Sequence, residues 1–336
     1  MIFPETDPGS AAAYRKMMLP LFEFEVPKSA RNVPFSSDAE IYCLPGVTVS
    51  RNRSTACRLT RTIETIARSA TDEILVVCYT SGHFTYHDRG TKRRAEKGEL
   101  AFFDLSQELV IEAPSVENIS LAVSRRKLEA LFPLLDNAHG FVVPPGSLTK
   151  VLLGMMEHTM AMGAATTPME ARAIADAMIQ LVAACLEMMS RQQATPSATN
   201  GSASLAALKG AIERQLTDPA LGPQSLLNEF GITRSTLYRA FEPLGGVSAY
   251  ITERRLRYAF RRITDPSQEA QRVSQLGFEL GFSHPSAFTR AFKALFGLSP
   301  TDVRTLAVRP AGGDVPFMVS PEALPYIHPI VAMAAE

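Results

Sequence analysis

One short sequence occurs twice in the C-terminal third of this chain, and it restricts the fold more than any other feature. Gly231-Ile-Thr-Arg-Ser-Thr-Leu-Tyr-Arg-Ala-Phe241 returns as Gly281-Phe-Ser-His-Pro-Ser-Ala-Phe-Thr-Arg-Ala-Phe292. The offset is 51 residues for Leu237/Phe288, Arg239/Arg290, Phe241/Phe292 and Gly246/Gly297, and 50 for Gly231/Gly281. The second copy therefore carries one extra residue in its turn. A repeat at fixed offset means two copies of one supersecondary unit.

The unit has a physical reading. A short helix from Gln224 to Phe230 ends at Gly231, a residue able to take the left-handed conformation of a helix C-cap. Thr233 is a good N-cap for the helix that follows. On that helix Leu237, Ala240, Phe241 and Leu244 share a core face, and Ser235, Tyr238 and Arg239 lie opposite. In the second copy Phe288, Ala291, Phe292 and Leu295 form the core face, and Ser286, Thr289, Arg290 and Lys293 point outward. Helix, glycine turn, then a helix with an Arg-bearing outer face is helix-turn-helix anatomy. The plain alternative is a helical bundle with solvated outer faces. An arginine at the same outer position in both copies argues against it.

Between the copies, Ala249 to Ile263 reads as a long helix with Arg254, Arg255, Arg257, Arg261 and Arg262. It would hold two reading heads at fixed separation, and adjacent major-groove segments on one face of a duplex lie about 34 Å apart. Its arginines, Arg254 among them, are candidates for phosphate contacts.

Charge agrees in location. The chain has 336 residues with 34 basic and 34 acidic side chains. Residues 1–200 carry 20 Lys/Arg and 22 Asp/Glu, residues 205–306 carry 13 and 9, and the remainder carries 1 and 3. The basic excess is confined to the repeated segment. Apolar residues make up 46% of the chain, enough to build a sizeable core. No run of about 18 uncharged apolar residues occurs, so no membrane-spanning helix is expected. Met1 to Ser10 lacks the apolar stretch of a secretory signal. Cys43, Cys57, Cys78 and Cys185 have no C-x-x-C spacing and read as reduced thiols.

The first half reads as β-structure followed by helices. Ile74–Tyr79 is an apolar run of strand length, His83–His87 alternates, and residues 98–103 and 119–123 continue the series. Gly46, Gly82, Gly90, Gly98 and Pro114 are taken as turns, and Lys92, Arg93, Arg94 and Lys97 as a solvated loop. A short helix starts at Ser124. Two longer ones, 147–162 and 168–189, are rich in Met and Ala and suggest an antiparallel pair that doubles as a dimer seam. Boundaries follow: leader 1–39, whose first thirty residues read as loosely ordered or as a short helix from Ala11 to Leu19, β-rich domain 40–191, linker 192–204, repeated helical domain 205–306, irregular tail 307–336.

Val273 through Arg304 resembles the C-terminal signature of the AraC/XylS family of bacterial transcription regulators. Gly281-Phe282, Phe288, Arg290, Phe292-Lys293, Phe296-Gly297, Ser299-Pro300 and Arg304 carry the likeness. The resemblance implies seven helices with two helix-turn-helix units, and recognition helices Arg234–Phe241 and Pro285–Phe292 in successive major grooves. By motif position the base readers would be Ser235, Tyr238 and Arg239, then Pro285, Ser286, Thr289 and Arg290, with Arg234, Lys293 and Arg254 completing the interface. Leu227 and Gly277 stand where the family has Ala.

Residues 40–190 are similar, more weakly, to the sensor half of such regulators. The implied fold is α+β: a cupin-like antiparallel β-barrel or sandwich with a helical pair, then an all-α double helix-turn-helix domain. The implied partners are double-stranded DNA, RNA polymerase, a small organic effector and a second copy through 147–190. No membrane partner, cofactor or metal is expected, and the chain is read as a cytoplasmic, nucleoid-associated activator of bacterial transcription. An alternative is a metal-dependent cupin enzyme with an attached helical module. His83 and His87 are its candidate ligands, since they share a strand face. No catalytic motif supports it. A further alternative is a constitutive regulator whose first half only dimerises.

Overall fold

A computed structural model describes residues 2–3, 10–19, 21–30, 32–69, 71–88, 90–132, 134–162, 166–193, 205–265 and 273–307. The chain divides into two compact units, the first running through Leu186 and the second covering Glu187–Arg309.

Two long strands, β4 (Val47–Arg61) and β9 (Leu109–Val123), form the spine of the first unit. They pair antiparallel from Val47↔Val123 to Arg61↔Leu109. Each spans roughly 50 Å at about 3.3 Å per residue, more than one neighbouring strand covers. Beside β4, β3 (Ser37–Leu44) takes residues 47–54 and β2 (Glu23–Glu25) takes 58–60. Beside β9, β5 (Ile74–Tyr79) takes 118–123 and β6 (Phe84–Asp88) takes 110–112. The handover falls near Pro114, which has no N–H, and the rung to Ala56 is missing from the ladder. Pro114 therefore sits inside a strand and not in the turn expected for it.

One spine thus serves two branches. β8 (Leu100–Asp104) and β10 (Phe141–Val143) extend the β5 branch, β7 (Thr91–Ala95) extends the β6 branch, and β1 (Ile2–Phe3) flanks β3. The branches face each other over a shared core that includes Phe24, Val77, Tyr79, Phe84, Tyr86, Phe103 and Ile111. The sandwich half of the expectation holds. The barrel half does not, because the sheet stays open, with no pairing among the described residues that joins its end strands. The cationic stretch expected as a loop is the edge strand β7, with Lys92, Arg93 and Arg94 exposed. Charge on an unpaired edge discourages further strand pairing.

Residues 10–39 are also more than a leader. In α1 (Ser10–Met18), Tyr14 packs with Phe24 and Phe35 at ring separations of 4.9 and 5.2 Å. Buried Arg61 fixes the segment, donating from Nη1 to the Leu21 carbonyl at 2.6 Å and from Nε to that of Leu105 at 2.6 Å. Two short helices, α2 (Ile63–Ser69) and α3 (Arg125–Glu129), close the ends of β4 and β9. Helix α4 (Ser147–Ala161) packs on β3, β4 and β9. Helix α5 (Pro168–Gln193) is, by length and composition, apolar enough to cross a membrane, unlike the expectation of none. Its Ala175, Met178, Val182, Cys185 and Leu186 are buried within the folded chain, and Asp176 lies 3.4 Å from Lys127, as in a core helix. The proposed linker lies outside the described residues apart from Gln192 and Gln193, and so does the tail beyond Ala307.

The second unit has seven α-helices among its described residues: α6 (Leu205–Arg214), α7 (Pro223–Phe230), α8 (Arg234–Phe241), α9 (Val247–Thr264), α10 (Val273–Glu279), α11 (Pro285–Phe296) and α12 (Pro300–Leu306). The N-terminal half of α9 contributes Val247, Tyr250 and Ile251 to a core with Leu226, Leu237 and Phe241. Its C-terminal half places Phe260 against Phe292 and Phe296, with ring centroids 6.0 and 4.9 Å apart. One continuous helix therefore belongs to both repeats.

Candidate nucleic-acid interface

Local chemistry builds the two copies in parallel. Helix α7 ends at Gly231 with φ +61°, and α10 ends at Gly281 with φ +75°. At the second turn the Phe282 N–H donates to the Gly277 carbonyl at 3.0 Å, and the Gly281 N–H to that of Phe278 at 2.9 Å. Both are bonds of a glycine-terminated helix end. Thr233 caps α8 by accepting from the Thr236 N–H at 3.3 Å. In α11 the N-cap is His284 without a side-chain cap bond, and Pro285 opens the helix with its φ already helical.

The outer faces superimpose by position. Arg234, Ser235, Tyr238 and Arg239 occupy the first, second, fifth and sixth places of α8, and all are exposed. Pro285, Ser286, Thr289 and Arg290 occupy the same places of α11, exposed except for half-buried Thr289, and Lys293 extends the face. Opposite them Leu237, Phe241, Phe288 and Phe292 are buried. Leu295, expected in the core, is 38% exposed. Phe296 takes its place, continuing the four-residue ridge from Phe288 and Phe292 onto Phe260. The side chains of Arg234, Arg239 and Arg290 form no ion pair or hydrogen bond among the described residues. Their guanidinium donors stay available for an acceptor outside the unit.

The connecting helix corrects one assignment. Arg254 is buried, with its Nε 2.7 Å from Glu213 Oε1, and it ties α9 to α6. A charge buried and paired this way does not reach a phosphate, so Arg254 leaves the set of contact residues. Arg255 is also buried and donates to backbone carbonyls. Arg257 is 2.9 Å from Glu253, and Arg262 donates to the Tyr258 hydroxyl at 3.1 Å. Glu213 carries no motif, so only the folded structure reveals its partnership with Arg254.

The two departures from the family pattern have packing roles. Leu227 fills the rim of the first core. Gly277 is buried beneath Phe288, whose ring occupies the space a Cβ would need.

In the first unit, Phe84 and Tyr86 point into the core, and His83, Thr85 and His87 alternate with them and are half-buried. The two histidines thus lie on the side away from the core. Among the described residues no group of three His, Cys, Asp or Glu side chains is placed to hold a metal ion. All four cysteines are buried and unpaired. A polar recess of about 210 Å³ opens beside α4, lined by Arg51, Arg53, Thr80, Glu117, Asn118, Ile119 and Glu157.

Residues 226–305, from α7 into α12, match the family described as "Helix-turn-helix domain". The transcriptional activator RhrA of Rhizobium meliloti (strain 1021) is 29% identical over 104 residues, 31% of this chain and 33% of that protein. The virulence regulon transcriptional activator VirF of Yersinia enterocolitica is 30% identical over 86 residues, 25% of this chain and 31% of that protein. The AraC-like transcriptional activator CuxR shares the fold at a TM-score of 0.52 and 22% identity, over 77% of this chain and 94% of that one.

Residues 226–305 of the second unit form a helix-turn-helix domain, and the chain is similar in fold to an AraC-like regulator. The chain spans about a third of the length of the two curated relatives, and the alignment with CuxR extends the likeness in fold to the sheet-bearing unit. Within this domain, the exposed faces of α8 and α11 are the candidate surface for a duplex.

Proposed function

We propose that this chain is a sequence-specific, double-stranded-DNA-binding transcription regulator. In this reading the helix-turn-helix domain reads two adjacent major-groove segments, one with α8 and one with α11. The observation that carries it is the pair Arg239 and Arg290: sixth in their helices, exposed, and free of intramolecular partners among the described residues. A guanidinium in that position bonds guanine O6 and N7 together. Ser235, Tyr238, Pro285, Ser286 and Thr289 are the neighbouring base readers, and Arg234 and Lys293 hold phosphates.

The first unit supplies regulation. It takes a small organic effector, whose binding shifts the balance between arrangements of the protein. It also pairs two copies through α4 and α5, where Val151 is 53% and Met169 83% exposed. Activation of transcription, by analogy with the activators RhrA and VirF, completes the reading, with RNA polymerase as a further partner and the cytoplasm as the site of action. The reading assigns the chain no catalysis.

The test is a titration of a bound duplex at fixed salt with Arg290→Ala and Arg239→Ala. Each variant loses about 1–3 kcal/mol of specific affinity and discriminates less at the contacted guanine. Unchanged titrations would remove both residues from the interface.

A further inference from the structure

We infer that Arg255 is a positioning residue that fixes the two reading helices at one separation on DNA. The inference rests on the DNA-binding reading above and adds to it the device that sets half-site spacing. Arg255 lies in the middle of α9, on the side facing inward. Its Nε donates to the Leu216 carbonyl at 3.2 Å, and its Nη2 to those of Asp218 at 2.7 Å and Leu221 at 3.4 Å. These three carbonyls belong to the loop that delivers the chain into α7, the first helix of the first helix-turn-helix. The other edge of the same guanidinium faces the second one. A Cβ built on Gly281 would stand 2.9 Å from Arg255 Nη1 and 3.2 Å from Cζ.

A single planar side chain therefore touches the entry to one helix-turn-helix and the turn of the other. Gly281 has two reasons to be glycine: its φ of +75° and the absence of room for a side chain against Arg255. The acceptors on the first side are neutral carbonyls, not a carboxylate. What matters is the forked array of donors, which spans three oxygens, and not charge alone. A lysine keeps the charge but offers a single ammonium point. Neighbouring Arg254 is different: its guanidinium pairs with a carboxylate, Glu213 on α6, 2.7 Å away.

The experiment uses the full-length protein and the duplex it selects from a random pool. Affinity is measured on that duplex, on versions with the half-site separation changed by one and two base pairs, and on a duplex with one half-site. Wild type should lose about tenfold in affinity for a two-base-pair change, and Arg255→Lys about twofold, while both bind the single half-site within about twofold of each other. Gly281→Ala, which pushes the guanidinium from its place, should flatten the spacing profile in the same way, and it carries the test if Arg255→Lys does not fold. A spacing profile in either folded variant as steep as that of wild type would overturn the inference and leave the DNA-binding reading intact. So would loss of single-half-site binding in proportion to lost thermal stability, the mark of a merely structural role. If wild type retains no duplex at low salt, the DNA-binding reading itself fails and this inference with it.

Discussion

The ring of Phe288 lies where a side chain on residue 277 would begin: a Cβ on Gly277 would stand 3.0 Å from Phe288 Cγ and 3.1 Å from its Cβ. Phe288 is buried between Phe282 and Phe292, at ring separations of 5.2 and 5.7 Å, and has nowhere to retreat. Helix propensity alone would make Gly277→Ala stabilising by about 1 kcal/mol. Overpacking predicts the opposite, a loss of about 1–3 kcal/mol. Urea denaturation decides between them, and a raised midpoint would show that the α10–α11 crossing has slack.

Arg254 and Glu213 form a buried ion pair, 3% and 6% exposed at their side chains. Removing one partner takes from the other a counter-charge 2.7 Å away in a buried site. Arg254→Leu should therefore cost about 3–5 kcal/mol, and Arg254→Leu with Glu213→Leu should recover much of it. Neither change touches the exposed faces of α8 and α11. Variants kept below their melting temperature should bind DNA with the salt dependence of wild type, and a shallower salt slope would put Arg254 back at a phosphate.

Lys293 and Arg290 should separate by their signatures. Lys293→Ala weakens binding to all duplexes alike and lowers the slope of log K against log salt by about 1, as expected for one lost phosphate contact. Arg290→Ala acts mainly on sequence preference. Parallel titrations on matched and mismatched duplexes, at several salt concentrations, distinguish the two. Equal effects on slope and preference would contradict the assigned roles.

Glu73 introduces a pH dependence of stability. Burial and the neighbouring Asp72 raise its carboxyl from an ordinary 4.5 to about 7, and its Oε2 has no hydrogen-bond partner among the described residues. Between these values the folded chain holds a proton that the unfolded chain has released. Glu73 therefore lowers stability as pH rises from about 4.5 to 7, by at most about 1.4 kcal/mol per unit, and adds no further change above that. Glu73→Gln should remove this slope and stabilise the protein at pH 8. Parallel melting curves of variant and wild type across the range would contradict the assignment.

Local chemistry made much of the second unit legible in advance. Glycine turns, an N-cap threonine and a four-residue apolar ridge are signals of adjacent residues, so the repeat revealed both helix-turn-helix units and their outer faces. The partners of the connecting helix were not legible. Arg254 and Arg255 look alike in sequence, but one meets a carboxylate 41 positions away and the other three carbonyls in a distant loop. In the first unit, a continuous apolar run located β5 and alternation located β6. The continuous spine was hidden because β4 and β9 change partners midway and β9 runs through Pro114. The early segment read as a leader because the aromatic partners of Tyr14 lie in later elements.

Selection of bound duplexes from a random pool by the full-length protein tests the central claim most directly. The account predicts recovered sequences with two short conserved blocks one helical turn apart, about 10–10.5 base pairs centre to centre, at least one of them containing a guanine that Arg239→Ala or Arg290→Ala no longer prefers. A single block with no second one at fixed spacing, or a pool that stays random at low ionic strength, would contradict it.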